Sequence, residues 1–144
     1  MIRVNVIRLQ PYDGTSVLIP FMTSRLNETV ESLGDSDGIA VPMFMSRLWA
    51  KDPGVLLIAA IGPDSKVKGH CAALVHLPGQ VMVVPPKLDE PTENDAISEM
   101  LGMVETWAKE QGASLLQLVS KRADPKWLKK HGYETARYVM TKQL

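Results

Sequence analysis

Apolar residues recur along this chain in two rhythms, and the changes between them mark its elements. Over RVNVIRLQ (Arg3–Gln10), Val4, Val6 and Arg8 alternate with Asn5 and Ile7 in a stretch rich in branched residues, which predicts a strand that PYDG then breaks. TSVLIPFMTSRLNETVESL (Thr15–Leu33) sets Leu18, Met22, Leu26 and Val30 at helical spacing, with Pro20 near the start where a proline is tolerated. After the turn Gly34–Gly38, VPMFMSRLWAKDPG predicts a short helix with Pro42 in its first turn and DPG beyond its end. Gly54–Gly62 is a continuous apolar run of strand length, which fits burial on both faces. Tight turns at Pro63–Lys66 and at Pro78–Gly79 then separate it from strands at Val67–Leu77 and Gln80–Val84. Pro85 and Pro86 are expected to stop the third of these.

The helical rhythm returns in NDAISEMLGMVETWAKEQG (Asn94–Gly112), with Ile97, Leu101, Val104 and Ala108 on one face and Gly112 as the stop. A strand at Ser114–Ser120, a short helix at Asp124–Gly132 and a last strand at Tyr133–Gln143 complete the chain. Strands joined by tight turns are antiparallel neighbours, whereas the long helix must cross over to a parallel one. A single domain over residues 1–144 is expected, with a mixed, largely antiparallel central sheet and helices on both faces.

Composition narrows the function classes. Lys plus Arg balance Asp plus Glu, so no overall field would draw in nucleic acid or an anionic membrane. The one cysteine, Cys71, has no internal partner, which fits a reducing compartment. No segment resembles a signal peptide or reaches membrane-spanning length, so a cytoplasmic protein, or part of a particle assembled in the cytoplasm, is expected. Charge is nonetheless segregated. PPKLDEPTENDAISEML (Pro85–Leu101) holds Asp89, Glu90, Glu93, Asp95 and Glu99 against Lys87, at a strand-to-helix junction whose positive helix end ordinarily favours an anion. SKRADPKWLKKH holds Lys121, Arg122, Lys126, Lys129, Lys130 and His131. The two stretches are expected on separate surfaces. Lys126, Lys129 and Lys130 are then candidates for docking a protein partner or a second copy, or simply a solvated helix face.

His70 and His76 fall on one face of their strand and Cys71 on the other. Six residues of strand hold the two imidazoles about 20 Å apart, so they cannot share a metal, and none is expected. His76, near the strand end, is a candidate general base; a structural or surface place for both histidines is the alternative. Cys71 reads as a core filler.

The element order, with AISEMLGMVETWAKEQGASLLQLVS followed by PKWLKKHGYETARYVMTKQL, resembles the GNAT superfamily of acetyl-CoA-dependent N-acetyltransferases from about Val55 to Leu144. The tail WLKKHGYE is similar to the family's FYEKLGFE. The resemblance implies that the backbone of the third adjacent strand bonds the pantetheine arm. A following loop, Gln/Arg-x-x-Gly-x-Gly/Ala, would wrap the pyrophosphate with its N–H groups. Its glycines would fall on Asp95 and Ile97 and its first position near Thr92, yet no glycine lies between Gly79 and Gly102. A carboxylate beside a pyrophosphate would repel it by roughly 4 kcal/mol at about 4 Å. Thr92 and Asp95 match capping-box spacing instead, so Thr92 is expected to cap the long helix. The resemblance also implies a tyrosine acting as general acid toward the departing thiolate, and Leu128 stands at that position; Tyr133 and Tyr138 follow on the last strand.

Two functions are therefore carried forward. The first is a non-catalytic GNAT-like module for binding or assembly, without cofactor and similar to eroded domains in phage virions. The second is an active N-acetyltransferase holding acetyl-CoA through Met82, Val83 and Val84 and the Asp95, Ala96 and Ile97 backbone.

Overall fold

A computed structural model describes residues 1–32, 40–118 and 130–132. Its elements run β1 (Asn5–Leu9), a 3-10 turn (Ser16–Leu18), α1 (Ile19–Ser32), α2 (Val41–Trp49), β2 (Val55–Ile61), β3 (Val67–Leu77), β4 (Gln80–Leu88), α3 (Ala96–Glu110) and β5 (Leu115–Leu118). The strands form one sheet in sequence order. β1 to β4 are antiparallel neighbours, and β5 pairs parallel to β4 with Gln80 opposite Leu115 and Val83 opposite Leu118. The expected mixed, largely antiparallel sheet is thus observed. The predicted turn at Gly34–Gly38, most of the short helix at Asp124–Gly132 and the last strand lie outside the described residues.

Alternation along the strands explains the layering. Leu57, Ala59, Ala72 and Leu74 face α1 and α2, where Met22, Leu26, Phe44 and Leu48 cover them. Leu56, Ile58, Cys71 and Ala73 point the other way, onto Met100, Val104 and Trp107 of α3. β2 is buried on both faces for this reason. Each large aliphatic side chain here contributes on the order of 1.5–3 kcal/mol over leaving it in water.

β4 corrects one expectation. Pro85 and Pro86 do not end the strand, which continues to Leu88. Ala72 pairs with Val84 and His70 with Lys87, so Cys71 alone faces two prolines across a β-bulge. A bulge leaves backbone groups out of the ladder, and there a missing N–H costs no sheet hydrogen bond. The Cys71 thiol donates to the Val84 carbonyl at 3.3 Å, satisfying an acceptor beside the irregularity.

Both ends of α3 are locally determined. Gly112, at φ +74°, takes the left-handed position after the C-cap Gln111, with Gly112 N–H to Lys109 O and Ala113 N–H to Ala108 O both at 3.0 Å. The N-terminus lies at Ala96, two residues later than the sequence predicts, which decides who caps it.

Candidate functional site

The strand-to-helix junction after β4 is anchored at three residues. Arg25 of α1 forms a fork with the Asp89 carboxylate at 2.8 and 3.0 Å. Further on, Glu93 N–H donates to Ile2 O at 2.6 Å. The Asn94 side chain then imitates a strand neighbour: its Oδ1 accepts from Val4 N–H and its Nδ2 donates to Val4 O, each at 3.0 Å. The connection from β4 to α3 is therefore tied to α1 and to the segment that leads into β1.

At the helix entrance, Asp95 is the N-cap. Its Oδ1 accepts from Ser98 N–H at 3.1 Å and its Oδ2 from the Ser98 hydroxyl at 2.7 Å. These two bonds, the Ser98 hydroxyl first, hold the Asp95 carboxyl below its ordinary range, aided by Lys130 and His131. Ala96 N–H donates to Asn94 O at 2.9 Å and Glu99 N–H to Asp95 O at 3.1 Å. Three amides of the first turn thus have acceptors within the chain.

Thr92 is not the cap. Its hydroxyl donates to Asn94 O at 2.6 Å. With α3 beginning at Ala96, Thr92 lies three residues too early to reach the orphan amides, and the capping carboxylate is that of Asp95, which accepts twice from Ser98.

The two charged stretches are not separated either. Lys130 Nζ lies 3.7 Å from Asp95 Oδ2, and His131 Nε2 lies 3.2 Å from the Ser98 hydroxyl. Because that hydroxyl donates to Asp95, the imidazole N–H donates to its oxygen. The chain's own cations therefore meet its own acidic helix end. Lys126, Lys129, Leu128, Tyr133 and Tyr138 lie outside the described residues.

His70 and His76 diverge in role. His70 is 1% exposed. Its Nδ1 accepts from Arg25 Nε at 3.2 Å, and its Nε2 meets the Thr29 hydroxyl at 2.8 Å. Burial first, then the Arg25 charge, lowers its pKa from 6.5 to about 4, so it is neutral near pH 7. The Asp89–Arg25–His70–Thr29 chain was not legible in sequence, because its members are up to 64 residues apart. His76 is exposed at the rim of a cavity of about 190 Å³ between α2 and β3, lined also by Met43, Phe44, Arg47 and Leu74. Among the described residues no carboxylate orients its ring.

Of the backbone positions named for a coenzyme, Met82 and Val83 are paired with Gln117 and Leu118 of β5. Val84 follows that described pairing, and Pro85 and Pro86 come next. Cys71 is fully buried, and burial pushes its thiol up to about 12, which suits a filler and not a nucleophile. Among the described residues there is no cluster of three or more His, Cys, Asp or Glu able to hold a metal, and no helix long and apolar enough to cross a membrane.

No family model and no curated protein matches this chain. Solved structures do. A Pyrococcus furiosus protein assigned as an acetyl transferase superposes with TM-score 0.67 at 18% identity, over 99% of this chain and 100% of that one. A predicted acetyltransferase from Clostridium acetobutylicum, solved with acetyl-CoA, gives 0.66 at 14% identity over 96% of each chain. Glucosamine-6-phosphate N-acetyltransferase from Arabidopsis thaliana gives 0.64 at 9% identity over 97% of each. The chain has the GNAT acetyltransferase fold.

Proposed function

We propose that this chain is a GNAT-fold protein in which the acetyl-CoA pyrophosphate site has been replaced by the protein's own helix cap, and that it acts as a non-catalytic binding or assembly module. The observation that carries this reading is the Asp95 cap. A pyrophosphate at the helix entrance needs free amides, close backbone approach and positive potential. Here Asp95 supplies a carboxylate, takes the Ser98 amide and is itself paired to Lys130. Pro85 and Pro86 add to it. They lie on the strand whose backbone would bond a pantetheine arm, and neither has an N–H to give. The residues at this junction do not fit the coenzyme, and no acetyl-transfer step is derived from them.

Docking would use the surface that coenzyme occupies in an active enzyme, together with the basic stretch that includes Lys126, Lys129 and Lys130. A place within a particle, such as a phage virion, is the finer form of this proposal. The second reading, an active N-acetyltransferase acting on an amine, draws support from neighbours such as the Clostridium acetobutylicum protein solved with acetyl-CoA, which matches along nearly the whole chain. Calorimetric titration with acetyl-CoA decides between them. The module reading expects no saturable heat up to millimolar coenzyme, and saturation at micromolar levels would establish the enzyme reading in its place.

A further inference from the structure

At the opposite end of the sheet from the α3 entrance, two exposed aromatic rings meet in a corner, and a lysine ammonium lies over one of them. Tyr12 follows β1 and Trp49 ends α2, just before β2. β2 and β4 run in the same direction, so the start of β2 and the end of β4 lie at opposite ends. The Tyr12 and Trp49 rings are 5.8 Å apart and inclined at 77°. The Tyr12 hydroxyl donates to the Trp49 carbonyl at 3.2 Å, which fixes one wall against the other. Lys51 Nζ sits 4.7 Å from the centre of the Tyr12 ring, within cation–π range. Tyr12 is 67% exposed and Trp49 40%, so the walls are accessible from solvent.

The backbone beneath this corner is unusual. Among the described residues, three non-glycine positions have positive φ; Tyr12 (66°) and Lys51 (59°) are two of them. Lys51 occupies the left-handed position of a helix-ending motif, with Lys51 N–H to Leu48 O and Asp52 N–H to Arg47 O at 3.0 Å. α3 ends with the same pair of bonds, and there the position belongs to Gly112. Glycine would relieve α2's end as well, so the lysine is held there at a conformational cost. Its ammonium marks where a cation is stabilised.

We propose that the exposed Tyr12 face, beside Trp49, is a recognition site for an alkylated ammonium group, covered in the free protein by Lys51 as an internal stand-in. A quaternary ammonium is the class that fits best. It needs aromatic faces and no hydrogen-bond acceptor, and it sheds water more readily than a lysine ammonium. Binding displaces Lys51 into solvent. The site is independent of the coenzyme reading, because no residue is shared with the α3 entrance.

The test is titration of the full chain with tetramethylammonium chloride, against sodium chloride at equal ionic strength, following the Trp49 indole N–H resonance. The parent is expected to show a weak saturable shift. Lys51→Gly, which suits the left-handed backbone and uncovers the Tyr12 ring, should bind about fivefold more tightly. Tyr12→Phe should keep the shift and Tyr12→Leu should abolish it. The N-acetyl amide of trimethyllysine is the second probe: tighter binding than tetramethylammonium indicates a peptide side chain, and equal binding a free cation. Absence of a saturable shift in Lys51→Gly, or a Tyr12→Leu titration matching the parent's, overturns the proposal.

Discussion

Asp95 is the residue on which the reading of this molecule turns. As the N-cap of α3 it satisfies the Ser98 amide, so Asp95→Ala should cost about 1 kcal/mol in urea unfolding. Thr92→Ala should cost less, since the Thr92 hydroxyl bonds only Asn94 O within its own loop. Equal losses for the two would restore Thr92 as the cap. His70 makes a second residue-level prediction. In the unfolded chain it titrates near 6.5; folded, burial beside Arg25 holds it at about 4. Between those values the unfolded state binds more protons, so stability is full above pH 6.5 and falls as pH drops toward 4, by on the order of 3 kcal/mol. Asp89, held low by Arg25, adds loss in the same direction at still lower pH. His70→Gln should flatten the slope between pH 6.5 and 4; an unchanged slope would place its origin elsewhere.

Among the elements, the β3–β4 pair with its bulge shapes the junction. A Cβ on Gly69 would come within 2.6 Å of the Lys87 carbonyl and of Leu88 Cδ2, and the first of these is backbone that cannot swing away. Gly69→Ala should therefore destabilise by about 1–3 kcal/mol through overpacking, and an unchanged denaturation midpoint would show that the bulge yields. β2, β3 and the buried face of α3 were legible because hydrophobic period and turn chemistry agree there. The end of β4 was not: two prolines ordinarily stop a strand, and only the pairing partner reveals that they occupy a bulge. Capping was misassigned because Thr92 and Asp95 have the right spacing, while the helix start is set by Asn94 bonding Val4, some 90 residues away. The contact of Lys130 with Asp95 was missed because a crossover brings together charges that sequence keeps apart.

For the whole molecule, the GNAT fold supplies a sheet, a crossover helix and a junction between them, and this chain fills that junction with its own groups. Fold does not by itself assign activity; the proposed function rests on the state of the junction. The same layout argues that Lys130→Glu, which places a like charge near Asp95, should leave the fold intact and shift the Ser98 amide resonance without changing that of Gly69; movement of both would mean a global rearrangement. An amide-resolved nuclear magnetic resonance titration with acetyl-CoA, watching Ala96, Ile97 and Ser98, reports on the α3 entrance itself. A junction filled by the Asp95 carboxylate predicts no saturable displacement of these three signals up to millimolar coenzyme. Saturable shifts concentrated on them at micromolar coenzyme would contradict the account and show that the helix entrance still receives a pyrophosphate.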